Sequence, residues 1–503
     1  MGSRGMSGVV GGLTAYRGFG LDSQVGLPGG SAPFGACARA CDCPGMLRAF
    51  RPGLDDIRAL LRLAGPIVAV QVGGMLMGVV DTMVMGHVSA NELAATALGN
   101  LYYFGLNGLG MGIVWAIDPI VSQAMGARDH ERAALGIQRG VVLGLALGVI
   151  MSLLCLPAGW VFQTLRQSPA VVPRATAFVH TSAVSLVFML TYITLRQCLQ
   201  AMKHTEAILR TVIVGNLVNL ALNLVLVFGR FGFPAMGCIG SAIASTIARL
   251  TMLIMLLVLS RPQLEPMLRP WRREALEWGP LARTFRLGLP LGLQNMVEFT
   301  TFAGISVLVG WFGADAMGGH QVALTLATLT FMVPLGVGSA GSVLVGHAIG
   351  AGDMPHARRV AASALLVGVS FMALSAGILL AVPGFFASLY TDVAGVAAMA
   401  TVLIPIAGVF QIFDGMQVVA AGVLRGAGDT HAPLIVNVAG FWVVGMPVSL
   451  WLGFQAKMGV VGLWWGFVAG LVAVAAFMVL RVRTKLSREV QRLDLEAAPG
   501  APV

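Results

Sequence analysis

The chain repeats one feature along most of its length, an apolar run of about 20 residues with few charges. At 1.5 Å per helical residue, such a run crosses a hydrocarbon layer about 30 Å thick. The strict alternation of polar and apolar residues that marks a membrane β-barrel does not occur. We therefore predict an all-α membrane protein with twelve transmembrane helices, at 63–86, 95–122, 134–157, 176–198, 208–229, 237–260, 287–312, 320–346, 359–382, 397–423, 432–453 and 459–481.

The composition fits a bilayer environment better than a soluble core. Hydrophobic residues make up 57% of the chain and charged residues 11%, whereas soluble domains are roughly 45–50% apolar. The 65 glycines and 23 prolines are tolerated in bilayer helices, because neighbouring helices pack closely or satisfy the freed backbone groups. We expect these residues to mark packing faces and hinges.

The position of the basic residues decides what the formal net charge of +10 means. Nucleic-acid binding would require basic residues interleaved with aromatic residues on one face, but here they stand at the edges of the predicted spans. They cluster before the first span and after the second, fourth, sixth and twelfth. The positive-inside rule then predicts that both termini and every even-to-odd connection lie in the cytoplasm, and no nucleic-acid partner is expected. The expected location is a bacterial inner membrane. The opposite loops carry only Arg166, Arg174, Arg230 and Lys457.

Four short motifs recur in the same order in the second half of the chain. The pairs, at offsets of 222 to 225 residues, are Leu61–Pro66 with Phe285–Pro290, Gly126–Asp129 with Gly350–Asp353, Leu199–Thr205 with Leu424–Thr430, and Gly237–Gly240 with Gly459–Gly462. The chain is therefore predicted to form two pseudo-symmetric six-helix lobes. Because six is even, both lobes have the same orientation and enclose a cavity near the midplane. Two such lobes complete the cavity, so a monomer is expected to function.

These patterns divide the chain into five parts, which are the N-terminal lead-in 1–53, the N-lobe 54–260, the cytoplasmic linker 261–284, the C-lobe 285–485 and the cytoplasmic tail 486–503. Met46 resembles a natural start, and residues 1–45 are interpreted as a disordered extension or as upstream of the true start. No signal peptide is predicted in them, because their apolar stretches are short and interrupted by glycines. Cys37, Cys41 and Cys43 have no partnering histidines and are interpreted as free thiols.

Ionisable residues inside a span cost free energy, so each is a candidate functional residue. Three carboxylates qualify: Asp81 late in span one, Glu298 in the middle of span seven and Asp414 in span ten. A structural interpretation stays open for each, since Asp81 can lie near the outer interface and the other two can hydrogen-bond to neighbouring helices. Gln294 and Gln411, close to Glu298 and Asp414 in sequence, are lesser candidates.

Asn219 and Asn223 on span five are one helical turn apart, so both amides project from the same face. If that face meets Asp81, the amides can supply oxygen ligands to a small cation or hold a protonated carboxyl. Paired asparagines also join bilayer helices without further function, and this alternative stays open. Asp118, near the cytoplasmic end of span two, is assigned to the membrane interface. Arg249 in span six can snorkel or pair locally and is given no role in transport.

Span one is also crowded with methionines, namely Met75, Met77, Met83 and Met85. A flexible, polarizable lining of this kind suits varied ligands, although ordinary lipid-facing or core packing accounts for it at least as well. The sequence contains no Gly-rich loop ending in Lys-Ser or Lys-Thr, so ATP is excluded as the energy source. An ion gradient is expected to supply the energy, and no cofactor is predicted.

Taken together, the motifs resemble those of the multidrug and toxic compound extrusion (MATE) transporters. The resemblance rests on the tandem lobes and on Asp81 followed by Met85–His87, Ser122–Ala127 and Leu424–Thr430. The pair of Glu298 and Asp414 is similar to one in the bacterial NorM-type branch of the family. The resemblance covers residues 54–485, which is essentially the whole membrane part of the chain.

This resemblance implies antiport of organic cations and other amphipathic drugs against Na⁺ or H⁺. It also implies an acidic site in each lobe and no enzymatic activity. Asp81 matches the family's acid in the N-lobe, whereas Glu298 and Asp414 match its acids in the C-lobe. All three are therefore candidate Na⁺ positions.

Three polar residues complete the expected N-lobe site. Asn219 matches the family's asparagine on span five. Asn223 stands where some relatives have a second aspartate, which lowers the charge of the site. Ser245 replaces a threonine ligand of span six in a looser alignment.

Two other functions fit parts of the sequence. A lipid-linked precursor flippase of the same wider superfamily has similar halves, but its cavity is more cationic, whereas the charges inside these spans are mainly acidic. An integral membrane enzyme would need His, Asp or Glu at metal or nucleophile spacing, and the sequence has no such cluster. Transport is the predicted function, with multidrug efflux and antibiotic resistance as the expected activity.

Overall fold

The computed structural model of the chain describes residues 50–496, except for the side chain of Ala90. The predictions for the N-terminal extension, for a start at Met46 and for the thiols of Cys37, Cys41 and Cys43 fall outside the described residues. The remaining cysteines, Cys155, Cys198 and Cys238, are buried free thiols.

Twelve long helices, α1–α12, follow one another along the described residues, which contain no β-strand. The predicted all-α architecture is confirmed. The helices are α1 Leu54–Gly86, α2 Ala90–Val114 continued by Ile117–Gly126, α3 His130–Leu154, α4 Val172–Ala201, α5 Glu206–Leu226, α6 Gly237–Leu259, α7 Trp278–Gly310, α8 Ala314–Gly350, α9 Met354–Ala381, α10 Ala394–Gly426, α11 His431–Gln455 and α12 Gly459–Ser487. Short helices at Ala158–Thr164, Arg261–Leu268, Arg273–Leu276 and Pro383–Tyr390 lie in the connections, and α11 is π-helical at Val438–Gly445 and Trp451–Gln455.

Eleven of the described helices are long and apolar enough to cross a membrane. The exception is α7, which has 33 residues, or about 50 Å of helix. α7 is therefore long enough to cross a membrane, but its middle is less apolar because it carries Gln294, Asn295 and Glu298. Both α1 and α7 begin before the predicted spans, because polar turns continue each helix past the apolar run. As a result, residues 278–284 of the predicted linker are helical.

The sequence repeat has a counterpart in the backbone. Asp129 caps α3 by accepting a hydrogen bond from the backbone N–H of Arg132 (3.0 Å), and Asp353 caps α9 in the same way through His356 (2.9 Å). Three pairs of left-handed residues lie at the offsets of the sequence motifs. They are Arg128 (φ 60°) with Gly352 (75°), Lys203 (64°) with Gly428 (74°), and Gly237 (54°) with Gly459 (60°). The two lobes thus repeat the same turns at the same places.

The lobes contact each other at the end of the bundle where the described chain begins and ends, which we call the terminal face. Gln123 of α2 donates through Nε2 to the carbonyl oxygen of Gly426 in α10 (3.0 Å). His347 of α8 hydrogen-bonds through Nε2 to the carbonyl oxygen of Ala201, the last residue of α4 (2.7 Å). Both bonds join an N-lobe helix to a C-lobe helix, so the space between the lobes is closed at this face.

The chain continues beyond α12 as a strap, Arg488–Glu496, that crosses the terminal face to the N-lobe. The side chain of Leu495 is buried in an apolar cluster formed with residues of α2 and α7. The carboxylate of Glu496 pairs with the buried guanidinium of Arg139 in α3 (2.6 Å). The described part of the predicted tail 486–503 therefore contributes to the contact between the lobes.

Candidate functional site

The N-lobe site is built around Asp81, near the end of α1. Its Oδ1 accepts hydrogen bonds from the amides of Asn219 and Asn223 on α5, at 3.1 and 2.7 Å. Its Oδ2 accepts a hydrogen bond from the hydroxyl of Ser245 on α6, at 2.8 Å. Both asparagines are fully buried, so the packing of the lobe holds their amides in place. The structure therefore brings together the four N-lobe residues that the sequence indicates.

A cavity of about 280 Å³ adjoins Asp81 inside the N-lobe. Met75 and Met77 of α1 line it. By contrast, Met83 is 64% exposed and Met85 is buried in the core of the lobe. The hypothesis of a methionine-rich lining thus fits two of the four methionines, and the other two are explained by lipid-facing and core packing.

Arg249 of α6 lines the same cavity. Its Nη1 donates to the hydroxyls of Tyr103 (2.6 Å) and Ser185 (2.7 Å), and its guanidinium carbon lies 4.9 Å from the centre of the Tyr103 ring. The expected local pairing is present, but the position of this residue beside the site was not predicted from the sequence. The available signal was its spacing of four residues from Ser245, which puts both on one face of α6.

The C-lobe site is built around Glu298, in the middle of α7. Its Oε1 accepts hydrogen bonds from the amides of Gln294 one turn earlier (3.2 Å), of Gln417 on α10 (2.7 Å) and of Asn437 on α11. Asn437 directly precedes the π-helical segment Val438–Gly445. π-Helical segments are rare in proteins, and many of those that occur lie at functional sites. Gln294 was predicted from the sequence, whereas Gln417 and Asn437 were not.

Asp414 and Gln411 of α10 have different surroundings. Asp414 is partly buried and lies three residues before Gln417, so both side chains project from the same helix face. Gln411, in contrast, accepts a hydrogen bond from Thr330 of α8 (2.6 Å) and donates one to Ser375 of α9 (3.0 Å). The structure therefore places Gln411 in a separate network, away from the C-lobe carboxylate.

Asp118 is buried between the lobes, a position that its assignment to the membrane interface did not predict. The first segment of α2 ends before Trp115, and the following segment, Ile117–Gly126, packs against the C-lobe, so Asp118 is fully buried. Its Oδ2 is 3.6 Å from Nε of Arg425 on α10, and the guanidinium carbon of Arg425 lies 4.9 Å from the centre of a Trp115 ring. A buried ion pair thus joins the two lobes.

A second cavity, of about 200 Å³, lies between the lobes. Glu298 and Gln294 line it from α7, Trp115 lines it from the N-lobe, and Arg425 lines it from α10. The C-lobe carboxylate therefore faces the space between the lobes. Asp81, by contrast, faces a cavity inside the N-lobe.

The two carboxylates lie at different depths, although the first and fifth helices of each lobe supply both sites. Asp81 follows Pro66 by 15 residues in α1, whereas Glu298 follows the repeat-related Pro290 by eight residues in α7. At 1.5 Å per residue, this difference places Asp81 about 10 Å farther from the terminal face. The lobes thus share an architecture but position their acids differently.

Both sites have free amide oxygens beside the carboxylate. The amide oxygens of Asn223 in the N-lobe and of Gln417 and Asn437 in the C-lobe are buried, and within residues 50–496 no group donates a hydrogen bond to them. Hard cations bind carboxylate and carbonyl oxygens, and a protonated group donates to the same acceptors. Either site can therefore take up a small cation or a proton.

Comparison with known proteins agrees with this geometry. A family model described as MatE matches residues 66–225 and 290–451, one region in each lobe. The chain belongs to the MatE family. The probable multidrug resistance protein NorM of Rhizobium meliloti (strain 1021) is 33% identical over 458 residues, which cover 88% of this chain and 95% of that protein. The multidrug resistance protein MdtK of Edwardsiella ictaluri (strain 93-146) is 31% identical over 435 residues, which cover 85% and 95%.

Solved MATE structures share the fold of this MatE chain. The eukaryotic MATE transporter AtDTX14 has a TM-score of 0.78 at 22% identity, and the match covers 88% of this chain and 98% of that one. A multidrug resistance MATE family transporter of the MOP superfamily, in an outward-facing conformation, gives the same TM-score and coverage at 17% identity. The predicted fold of two six-helix lobes is confirmed.

Proposed function

We propose that this MatE-family protein exports cationic and other amphipathic drugs by antiport, in exchange for Na⁺ or H⁺. The observation that carries the proposal is a carboxylate inside each lobe, Asp81 and Glu298, held by amides of neighbouring helices. Such groups are costly in a bilayer and attract cations. The names of the NorM and MdtK relatives support multiple drugs as the cargo.

Exchange follows from competition for negative charge. A drug cation and a coupling ion that depend on the same carboxylates lower each other's affinity, and this coupling is reciprocal. Glu298 faces the cavity between the lobes, so we assign it to drug binding, with Asp414 as a second acid of that lobe. We assign Asp81 to the coupling ion, as a gating site whose protonation or ion occupancy alternates during the cycle.

The terminal face is proposed to be the cytoplasmic face of a bacterial inner membrane, because the basic loops cluster at this end. The lobes contact each other there through Gln123 with Gly426 and Asp118 with Arg425. Drug uptake from the cytoplasm requires these contacts to separate, which rocking of one lobe against the other achieves. Because the two lobes of one chain enclose the cavity, the proposed functional unit is a monomer.

One observation favours the alternative of a lipid-linked precursor flippase. Arg249 and Arg425 line the two cavities and are cationic groups of the kind that bind phosphates. Arg425, however, is paired with the buried Asp118. Arg249 donates a hydrogen bond to the hydroxyl of Tyr103 and lies over its ring. The carboxylate beside each cavity therefore favours cationic cargo.

Gradient-driven transport in vesicles of purified protein tests the proposed function. We expect efflux of ethidium against its gradient when an opposing Na⁺ or H⁺ gradient is imposed. We also expect the efflux to stop when an ionophore collapses the gradient of the coupling ion. Protein-free vesicles are the control. Efflux that continues after both gradients are collapsed, or movement of lipid-linked precursors but not of ethidium, would contradict the proposal.

A further inference from the structure

A third cavity, of about 840 Å³, lies at the terminal face of the N-lobe and is separate from both carboxylate sites. We call it the basic cavity. Its walls come from the first half of α1, the turn between α4 and α5, the start of α5, the end of α6 with the following helix, and one residue of α8. Leu63, Leu259 and Leu344 give part of this wall an apolar surface.

Three basic side chains line the basic cavity without an acidic partner. Arg62 of α1, Lys203 of the α4–α5 turn and Arg210 of α5 are exposed. Within residues 50–496, none of them forms an ion pair with a carboxylate. Glu206 is the one acidic residue of the lining, so the lining carries a net positive charge.

Polar groups buried in the wall also lack partners. Ser260 is 1% exposed, and its hydroxyl has no hydrogen-bond partner among the described residues. It precedes the helix Arg261–Leu268 without capping it. The side-chain oxygen of Gln263 is likewise buried, with no donor in the described part of the chain. α5 also begins at this cavity, and the side chain of the preceding Thr205 does not cap it. The uncapped start of a helix attracts anions.

The corresponding place in the C-lobe is covered by the chain itself. In the repeat, Lys203 corresponds to Gly428, which packs against Leu493 of the strap. The next residue, Asp429, pairs with Arg481 (2.7 Å). The C-lobe counterpart is therefore covered, and an ion pair balances its charge. The basic cavity, by contrast, is not filled by the chain, and its lining keeps a net positive charge.

We propose that the basic cavity binds a phosphate-bearing anion, and that the headgroup of an acidic membrane phospholipid supplies the phosphate. Arg62, Lys203 and Arg210 balance the charge of the phosphate, and Ser260 donates to one of its oxygens. Gln263 accepts a hydrogen bond from a headgroup hydroxyl. The leucine walls contact the adjoining acyl chains, which a free phosphate lacks. Acidic headgroups bind in this way to basic pockets at the ends of membrane helices.

The test is lipid retention by the detergent-purified protein, measured by native mass spectrometry after adding phosphatidylglycerol or phosphatidylcholine. We expect wild-type protein to retain phosphatidylglycerol in preference. For the double variant Arg62→Ala/Lys203→Gly, we expect about 30-fold weaker binding, because each basic residue near an anionic surface contributes roughly a factor of five. Glycine suits this position because Lys203 has a left-handed φ of 64° and its repeat counterpart is Gly428.

Arg286→Ala is the matched control, because Arg286 is the exposed repeat counterpart of Arg62 and does not line the cavity. It should retain phosphatidylglycerol as wild type does. Arg210→Gln changes an exposed residue and provides a second variant if the double variant does not fold. Equal retention by wild type and the cavity variants would overturn the site. Binding of inorganic phosphate through the same residues, without retention of phosphatidylglycerol, would show that the bound phosphate does not come from a lipid headgroup.

Discussion

Replacing Glu298 with glutamine is expected to abolish most drug export while leaving the fold intact. Glutamine has nearly the same volume and still accepts hydrogen bonds from Gln417 and Asn437, but it removes the charge that faces the cavity between the lobes. The loss of a buried charge interaction costs about 2–5 kcal/mol, so ethidium export should fall about 30-fold or more. The measurement is gradient-driven efflux from vesicles that contain equal amounts of the two proteins.

Two glutamines on α10 give a matched control for this prediction. Gln417→Ala removes a donor 2.7 Å from Glu298, whereas Gln411→Ala removes a side chain that contacts Thr330 and Ser375. We expect the first change to lower export and the second to leave it close to wild type. Normal export by the Glu298→Gln protein, or equal effects of the two alanine variants, would contradict the assignment of the C-lobe site.

Replacing Arg425 with methionine is expected to destabilise the protein more than other single changes at the contact between the lobes. Asp118 is fully buried and forms an ion pair with Arg425 at 3.6 Å, so the variant leaves a buried carboxylate without a salt bridge among residues 50–496. Breaking a buried pair in this way costs about 3–5 kcal/mol. The measurement is the midpoint of thermal unfolding in detergent.

A second substitution distinguishes the effect of the unpaired Asp118 charge from the effect of lost packing. Asp118→Asn in the Arg425→Met background removes the carboxylate that has lost its salt bridge, so the double variant should unfold at a higher temperature than Arg425→Met alone. Arg261→Met is the control, because the pair of Arg261 and Glu265 is solvent-exposed and contributes little. The prediction would be contradicted if Arg425→Met unfolded at the same temperature as this control. It would also be contradicted if the double variant unfolded at no higher temperature than Arg425→Met.

The membrane helices and the repeat could be predicted because both leave local signals in the sequence. An apolar run long enough to span a bilayer identifies its helix without tertiary contacts. The repeated motifs predict two equivalent lobes, and the paired left-handed residues at Arg128 and Gly352 repeat the same turn. Helix starts were less predictable, since the polar residues of the first turns of α1 and α7 do not distinguish helix from connection.

The N-lobe site was more predictable than the C-lobe site. Asn219 and Asn223 share a helix face by their spacing, and Asp81 is the one acid of α1 beyond its first turn, so the sequence leaves few possible partners for the two amides. Glu298 contacts Gln417 and Asn437, which are 119 and 139 residues away in sequence. A polar amide in an apolar helix is a weak signal, and only the packing of α7, α10 and α11 shows which amides meet.

Two contacts between the lobes depend on chain paths that the sequence does not specify. Asp118 is buried because the second segment of α2 packs against the C-lobe, although an aspartate before a proline near a span end also suits an interface. The strap reaches the N-lobe through Leu495 and Glu496, which lie in a short charged segment with one further leucine, Leu493. Neither pattern has a periodicity that would predict burial.

The central claim is that a drug and a coupling ion compete through carboxylates inside the two lobes. The most direct measurement is the affinity for a cation of fixed charge, such as ethidium, at several proton and Na⁺ concentrations. Wild type, Asp81→Asn, Glu298→Gln and Asp414→Asn are compared. We expect the affinity of wild type to fall as the coupling ion increases, and we expect Asp81→Asn to lose this dependence. An unchanged dependence in all three variants would contradict the account.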